Sequence, residues 1–267
     1  MARVRPAVGK TILSEAMFTP MDISSLAYWW RADLDVVETG QGVSSWACQK
    51  TGVALVQAVD ANRPAKLAGV VALNNMPAIE FLPAPLTFLD ANNAASAWRF
   101  LHDGTGMRAV VPAVLRTSGG QSSVIWATSD QLPPSIGTGA RLFDSGPNDF
   151  STLQIVNGSG AIVNSQPFVS AGTMRDTFHV YSAYYENGAP TEFRNTFNFA
   201  DLDSGSDTGA PSASDPNGPL RIGANVLVGG GTVDSAKIDI PEIMFFYDEL
   251  SPEQSTSLSN YMNARYA

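Results

Sequence analysis

LRIGANV (220–226), KIDIPEIMFFYDEL (237–250) and SPEQSTSLSNYMNARY (251–266) carry the reading of the fold. The stretch 237–250 alternates and is mostly apolar, the pattern of a buried strand. A helix start follows it. Ser251 is placed to N-cap, Pro252 takes the first helical position and Gln254 completes a capping box. Leu258, Tyr261 and Met262 then recur on one helical face. A strand closed by a short helix is therefore expected at this end, after a Gly-rich loop at 229–231.

Working outward, the composition suits many short strands joined by tight turns. Of 267 residues, 44% are hydrophobic and 15% charged, with 23 Gly and 17 Pro. Helical patterns are absent outside the last segment. A chain of this length can bury a large core. The net charge of -9 disfavours nucleic acid, whose binders need basic groups to displace counterions. Cys48 is the only cysteine, which excludes an intrachain disulfide. A free thiol suits a cytosol, and a large core needs no disulfide outside the cell either. No signal peptide or membrane helix is visible.

Residues 1–20, MARVRPAVGKTILSEAMFTP, have no sustained apolar period and a net charge of +2, which leaves -11 for the remainder. They read as an extended arm, which needs a partner surface to offset its conformational entropy. From Ile23 the text changes. ISSLAYWWRADLDVV (23–37) and GQGVSSWACQKTG (40–52) give an aromatic strand, a turn and a second strand; FLHDGTGMRAVVPAVLR (100–116), SSVIWAT (122–128) and ARLFDS (140–145) give more. Asn157-Gly158 and Asn187-Gly188 mark hairpins. Residues 201–217, with four Asp and no base, read as a long exposed loop. This spacing of strands and turns indicates a β-sandwich, with an arm at 1–20 and one domain at 21–267.

Several segments resemble the concanavalin A-like (laminin G-like) jelly-roll family. At the C-terminal end the matching residues are Ile222-Gly223, Ile240 to Tyr247, Leu250, Glu253, Tyr261 and Arg265-Tyr266. In the first third they are Leu26, Trp29, Ala32-Asp33, Val43, Trp46, Thr51-Gly52, Arg63-Pro64 and Pro77 to Phe81. Cys48 departs from the pattern, where an Asp is often found. The resemblance implies an all-β, antiparallel jelly-roll sandwich with an N-terminal arm and a short C-terminal helix.

Glycoside hydrolysis needs two carboxylates facing each other across a cleft. The nearest pair is Asp239 and Glu242, whose spacing within one strand would put them on opposite faces; the resemblance makes Glu242 a structural acid. Zinc chemistry is not indicated, because His102, His179 and Cys48 are isolated from one another. Asp201, Asp203 and Asp207 share the alternate register of a calcium loop around Gly205, but position five is that glycine and no bidentate Glu follows. No nucleophile elbow or phosphate loop is present. Asn157-Gly158-Ser159 is a formal glycosylation sequon better explained as a turn. The five Trp read chiefly as core, with an exposed ring as the alternative.

The expected protein is non-enzymatic and needs no cofactor, calcium being the alternative. The resemblance extends to jelly-roll modules of bacteriophage head-decoration, head-fibre and tail proteins. It implies a virion-surface structural protein, made in a bacterial cytoplasm and attached to capsid or tail subunits through its arm. Self-association is also expected. Arg3, Val4, Arg5, Ile12, Leu13, Met17 and Phe18 are the docking residues of that reading. The second reading is a lectin-like module for cell-surface glycans, using the concave sheet or rim loops with an exposed Trp or Tyr and Asn/Asp partners. A glycanase is the third. No membrane or nucleic acid partner is expected.

Overall fold

The computed structural model describes residues 18–116, 123–129, 137–144, 151–165, 176–187, 191–198, 200–205, 209–225, 235 and 237–267. The first half of the chain forms β1 (Leu26–Arg31), β2 (Val36–Thr39), β3 (Gly42–Ala47), β4 (Ala54–Val56), β5 (Ala65–Val70), β6 (Met76–Phe81), β7 (Leu89–Ala91), β8 (Met107–Leu115) and β9 (Ser123–Ala127). The second forms β10 (Thr138–Asp144), β11 (Ser151–Asn157), β12 (Ala161–Ser165), β13 (Phe178–Asn187), β14 (Thr191–Phe197), β15 (Ala200–Gly205), β16 (Arg221–Ile222), β17 (Ile238–Ile240), β18 (Glu242–Phe246) and the helix α1 (Pro252–Tyr266).

These strands make two antiparallel sheets packed as a jelly-roll sandwich. The first sheet runs β15-β14-β13-β8-β17-β6-β5, with β18 beside β8 and β1 beside β18; the second runs β12-β11-β10-β9-β16-β7-β4-β3-β2. Alternation along the strands supplies both faces. Inward side chains such as Trp30, Trp46, Phe81, Trp126 and Phe245 fill the space between the sheets. The outer face of the first sheet is apolar as well, through Trp29, Val110, Val180, Met244 and Phe246. The helix α1 covers it with Leu258 and Met262. Its start is the expected capping box: Ser251 Oγ accepts from the Gln254 amide at 3.2 Å, and Gln254 Oε1 accepts from the Ser251 amide at 2.9 Å.

Two expectations need correction. The stretch 237–250 is two strands rather than one. Pro241 has no N–H to donate, and the ladder breaks there. β17 pairs with β6 and the end of β8, while β18 pairs with β1 and the start of β8. The segment 201–217 is not all loop, because its first residues belong to β15, paired with β14. Beyond it, the loop is tied down. His102 Nε2 lies 3.0 Å from Ser214 O, and the Asn217 amide donates to Thr138 O at 3.0 Å.

The hairpin at Asn157-Gly158 is present. Gly158 has φ +88°, and Asn157 Oδ1 accepts from the Ser159 amide at 3.1 Å. β13 and β14 pair as expected around Asn187; Gly188 lies outside the described residues. Among those residues, no helix is long and apolar enough to cross a membrane.

Candidate functional site

The outer face of the second sheet differs from that of the first. Strand register sets Gln154 opposite Arg141, Arg141 opposite Ala127, Ala127 opposite Arg221, and Arg221 opposite Asp90. Side chains directly opposite each other in antiparallel strands share a face and touch. The result is a row of planar polar groups across β11, β10, β9, β16 and β7, with two guanidiniums flanking the small Ala127.

Each guanidinium is oriented. Arg141 Nε donates to Gln154 Oε1 at 2.6 Å, and its guanidinium stands over the Phe143 ring at 4.3 Å. Arg221 donates from Nε and Nη2 to the two oxygens of Asp90, at 2.7 and 2.9 Å, and lies 4.1 Å over Phe88. Asn225 joins them: Arg141 Nη1 reaches its Oδ1 at 3.4 Å, and Arg221 Nη1 donates to its backbone oxygen at 3.0 Å. Gly223 makes this convergence possible. Its φ is +88°, and a Cβ there would sit 2.3 Å from the Phe81 ring, so the turn from Arg221 to Asn225 requires glycine.

The row has a covered half and an open half. Arg141, Gln154 and Asn225 are buried, whereas the Arg221 and Asp90 side chains are 19% and 30% exposed. Buried, fully bonded polar groups hold their neighbours rigid. Three of the five guanidinium N–H groups of Arg221 are used by Asp90 and the Asn225 carbonyl. With the acceptors of Asp90 and the Phe88 ring, the open half matches adjacent hydroxyls on a ring-shaped polar ligand.

Sequence reasoning missed this row, because its members come from strands far apart in the chain. The available signal was a lone Arg in each of two apolar strands, ARLFD and LRIG. The five Trp are all buried. Among the described residues, Tyr247 is the exposed aromatic, at 52%. Cys48, where the family often has Asp, is buried; its sulfur accepts from the Trp29 amide at 3.2 Å.

The other candidate residues do not converge. Arg3, Val4, Arg5, Ile12, Leu13 and Met17 lie outside the described residues. Phe18 lies inside them, edge-on to Tyr261 of α1 with ring centroids 6.5 Å apart. Asp201 and Asp203 fall in β15, and Asp207 lies outside the described residues. Among the described residues, no group of three or more His, Cys, Asp and Glu gathers to hold a metal.

The expectation for Asp239 and Glu242 is overturned. The break at Pro241 resets the alternation, and both point to the outer face of the first sheet. Neither has solvent access. Asp239 is bonded to Arg116, whose Nε donates at 2.9 Å. Burial pushes its carboxyl above the usual range, and Arg116 opposes the shift. Glu242 lies under α1, where Tyr261 and Tyr266 donate to its Oε2 at 3.0 and 2.8 Å. Burial pushes its carboxyl up to about 7, against those hydroxyls and the nearby Arg265 and Arg31.

No protein-family model matches the chain, and no curated protein matches it by sequence. Its fold is similar to solved structures. Domain 4 of AbnA, a GH43 extracellular arabinanase from Geobacillus stearothermophilus in complex with arabinotriose, superposes with TM-score 0.57 at 11% identity, over 88% of this chain and 98% of that domain. The binding domain of Paraclostridial Mosquitocidal Protein 1 gives 0.59 at 10% identity, over 89% of this chain and 52% of the other. Trypanosoma rangeli sialidase in complex with sialic acid gives 0.53 at 11% identity, over 95% of this chain but 35% of the enzyme. These likenesses show the fold, a β-sandwich.

Proposed function

We propose that this chain is a non-enzymatic glycan-binding module whose ligand face is the open end of the polar row, Arg221, Asp90 and Phe88. The observation that carries this reading is the row itself: a bidentate Arg–carboxylate pair, set over an aromatic ring and held from behind by buried amides. Sugar hydroxyls need paired donors and acceptors fixed in advance. The arabinotriose-bound arabinanase domain supports the reading by its fold. The buried settings of Asp239 and Glu242 favour binding over hydrolysis, because glycoside cleavage needs two carboxyl groups facing a cleft.

A glycan array, run with calcium and with EDTA, tests it. Binding that survives EDTA is expected. Arg221→Met should weaken the strongest array ligand roughly 10- to 100-fold, the scale of a lost charge-assisted pair. Arg221→Lys should also bind poorly, because an ammonium cannot reproduce the planar fork. Thermal melts run beside the binding measurements separate a lost contact from a loosened fold, because Arg221→Met also leaves Asp90 and the Asn225 carbonyl without their partner. Unchanged affinity in both variants would remove the row from the binding face.

We also propose display on a bacteriophage particle as the setting of this activity, a reading with which the position of Phe18 is compatible. Phe18 packs on the α1 side of the first sheet, while the polar row faces outward from the second. Attachment through residues 1–17 would leave the row pointing away from the particle. Mass spectrometry and cryo-EM of particles from the source organism test this. Many copies, with residues 1–17 ordered against a neighbouring subunit, are expected; particles lacking the chain would end the virion reading.

A further inference from the structure

Tyr247 leaves the end of β18 with about half of its surface exposed, at 52%, yet it is held from behind. Its ring meets Phe100 edge-on, with centroids 4.9 Å apart and planes at 62°. Its backbone amide donates to Ser25 O at 2.9 Å. The hydroxyl of the buried Tyr28 lies within electrostatic reach of Tyr247 and of Asn93. Burial, with Tyr247 beside it, pushes the Tyr28 hydroxyl up to about 12, so Tyr28 stays a neutral donor. Asn93 is fixed in turn, because its Oδ1 accepts from Trp98 Nε1 at 2.8 Å. A chain of bonded and stacked groups thus runs from the core to one exposed aromatic face.

Apolar rings left in water are normally mobile or covered. This one is rigid and uncovered, and it is flanked by polar groups. Asp248 is exposed beside it, with Oδ1 turned back to the Glu249 amide at 2.8 Å. Gly106, with φ +114°, lets its backbone approach that of Tyr247 closely: a Cβ there would sit 3.1 Å from the Tyr247 backbone oxygen. An exposed aromatic plane backed by Phe100, with the exposed Asp248 carboxylate as its chain neighbour, is complementary to a pyranose or furanose ring. Such a ring has an apolar C–H face for stacking and hydroxyls around its perimeter.

We propose that Tyr247 is the stacking platform of a second saccharide subsite at this rim, with Asp248 and Asn93 receiving hydroxyls of the stacked sugar. The inference rests on the glycan-binding reading above but uses none of the residues of the polar row. The subsite is sequence-tolerant in the way stacking platforms are: it selects ring shape and leaves linkage to other contacts.

The test is calorimetric titration of the full chain with arabinotriose, α2,3-sialyllactose and the strongest array ligand. The variants are Tyr247→Ala, Tyr247→Phe, Asp248→Asn and Arg221→Met. Tyr247→Ala should weaken binding roughly tenfold and Tyr247→Phe far less, because the ring supplies the stacking. Asp248→Asn should give an intermediate loss, and thermal melts should place the Tyr247 and Asp248 variants near the wild type. If Arg221→Met loses affinity while Tyr247→Ala keeps it, the rim subsite is wrong and the row stands. If Tyr247→Ala loses affinity and Arg221→Met does not, the rim stands alone. If the wild type binds no saccharide, both fall.

Discussion

Arg116→Met should lose about 4 kcal/mol of stability at pH 7 in urea denaturation. Asp239 sits in β17 with no solvent exposure, and Arg116 holds it from the end of β8. Removing one partner of a buried pair leaves an uncompensated charge, typically at a cost of about 3–5 kcal/mol. The carboxyl would escape by binding a proton. Starting from an ordinary value of 3.8, that costs about 1.4 kcal/mol per pH unit up to neutrality. The sign follows directly. In the variant the folded carboxyl titrates far above its unfolded value, so its stability is retained at low pH and lost as pH rises. The deficit against the wild type should therefore shrink towards pH 4. Adding Asp239→Val should recover most of the loss, because a β-branched apolar side chain suits a buried strand position. A single-variant loss below about 1 kcal/mol, flat with pH, would contradict this account.

Glu242→Gln should stabilise the protein at pH 8 by up to about 3 kcal/mol and change little at pH 5. Its carboxyl is raised from 4.5 to about 7, and holding a carboxyl protonated costs about 1.4 kcal/mol for every pH unit above its unfolded value. A folded value above the unfolded one means that this group's contribution is full below pH 4.5 and is lost as pH rises through 7. Glutamine keeps an oxygen for the Tyr261 and Tyr266 hydroxyls but cannot ionise. Asp33 acts in the opposite sense. Burial works to raise it, yet the hydrogen bonds of Arg31 and Arg265 hold it below the usual range, so its contribution falls away in acid. The wild-type curve mixes both effects, and the difference between wild type and Glu242→Gln isolates one. Thermal or urea melts at pH 5, 6, 7 and 8 check it; parallel curves would mean that Glu242 is charged in the fold.

The sandwich and its closing helix were legible because their signals are local. Alternation marks a strand within a few residues, and Ser251, Pro252 and Gln254 mark a helix start within four. Pro241 shows the limit. A residue without an N–H was visible in the text, but whether a strand bends, ends or changes neighbour there depends on β8 lying alongside. That single break moved Glu242 to the face shared with Asp239. The polar row was illegible for a related reason. Arg141, Arg221 and Asp90 become neighbours only because β16, two residues long, is inserted between β9 and β7. Nothing local specifies that order. Tyr247 and the Trp residues differ only in exposure, which is set by what the rest of the chain places over them.

The contact between Phe18 and Tyr261 has a further consequence. Tyr261 lies six residues, nearly two helical turns, before Ala267, so Phe18 packs on the C-terminal half of α1. A short linker from Ala267 to Phe18 would close the chain into a ring without disturbing a strand. The ring could be reopened at Gly52, whose φ is +76° in a turn where an added Cβ would meet nothing within 4 Å. A circularly permuted chain cut there would keep every sheet pairing described above. By the same geometry, the domain could be inserted whole into a surface loop of another protein, held by two adjacent strands of linker.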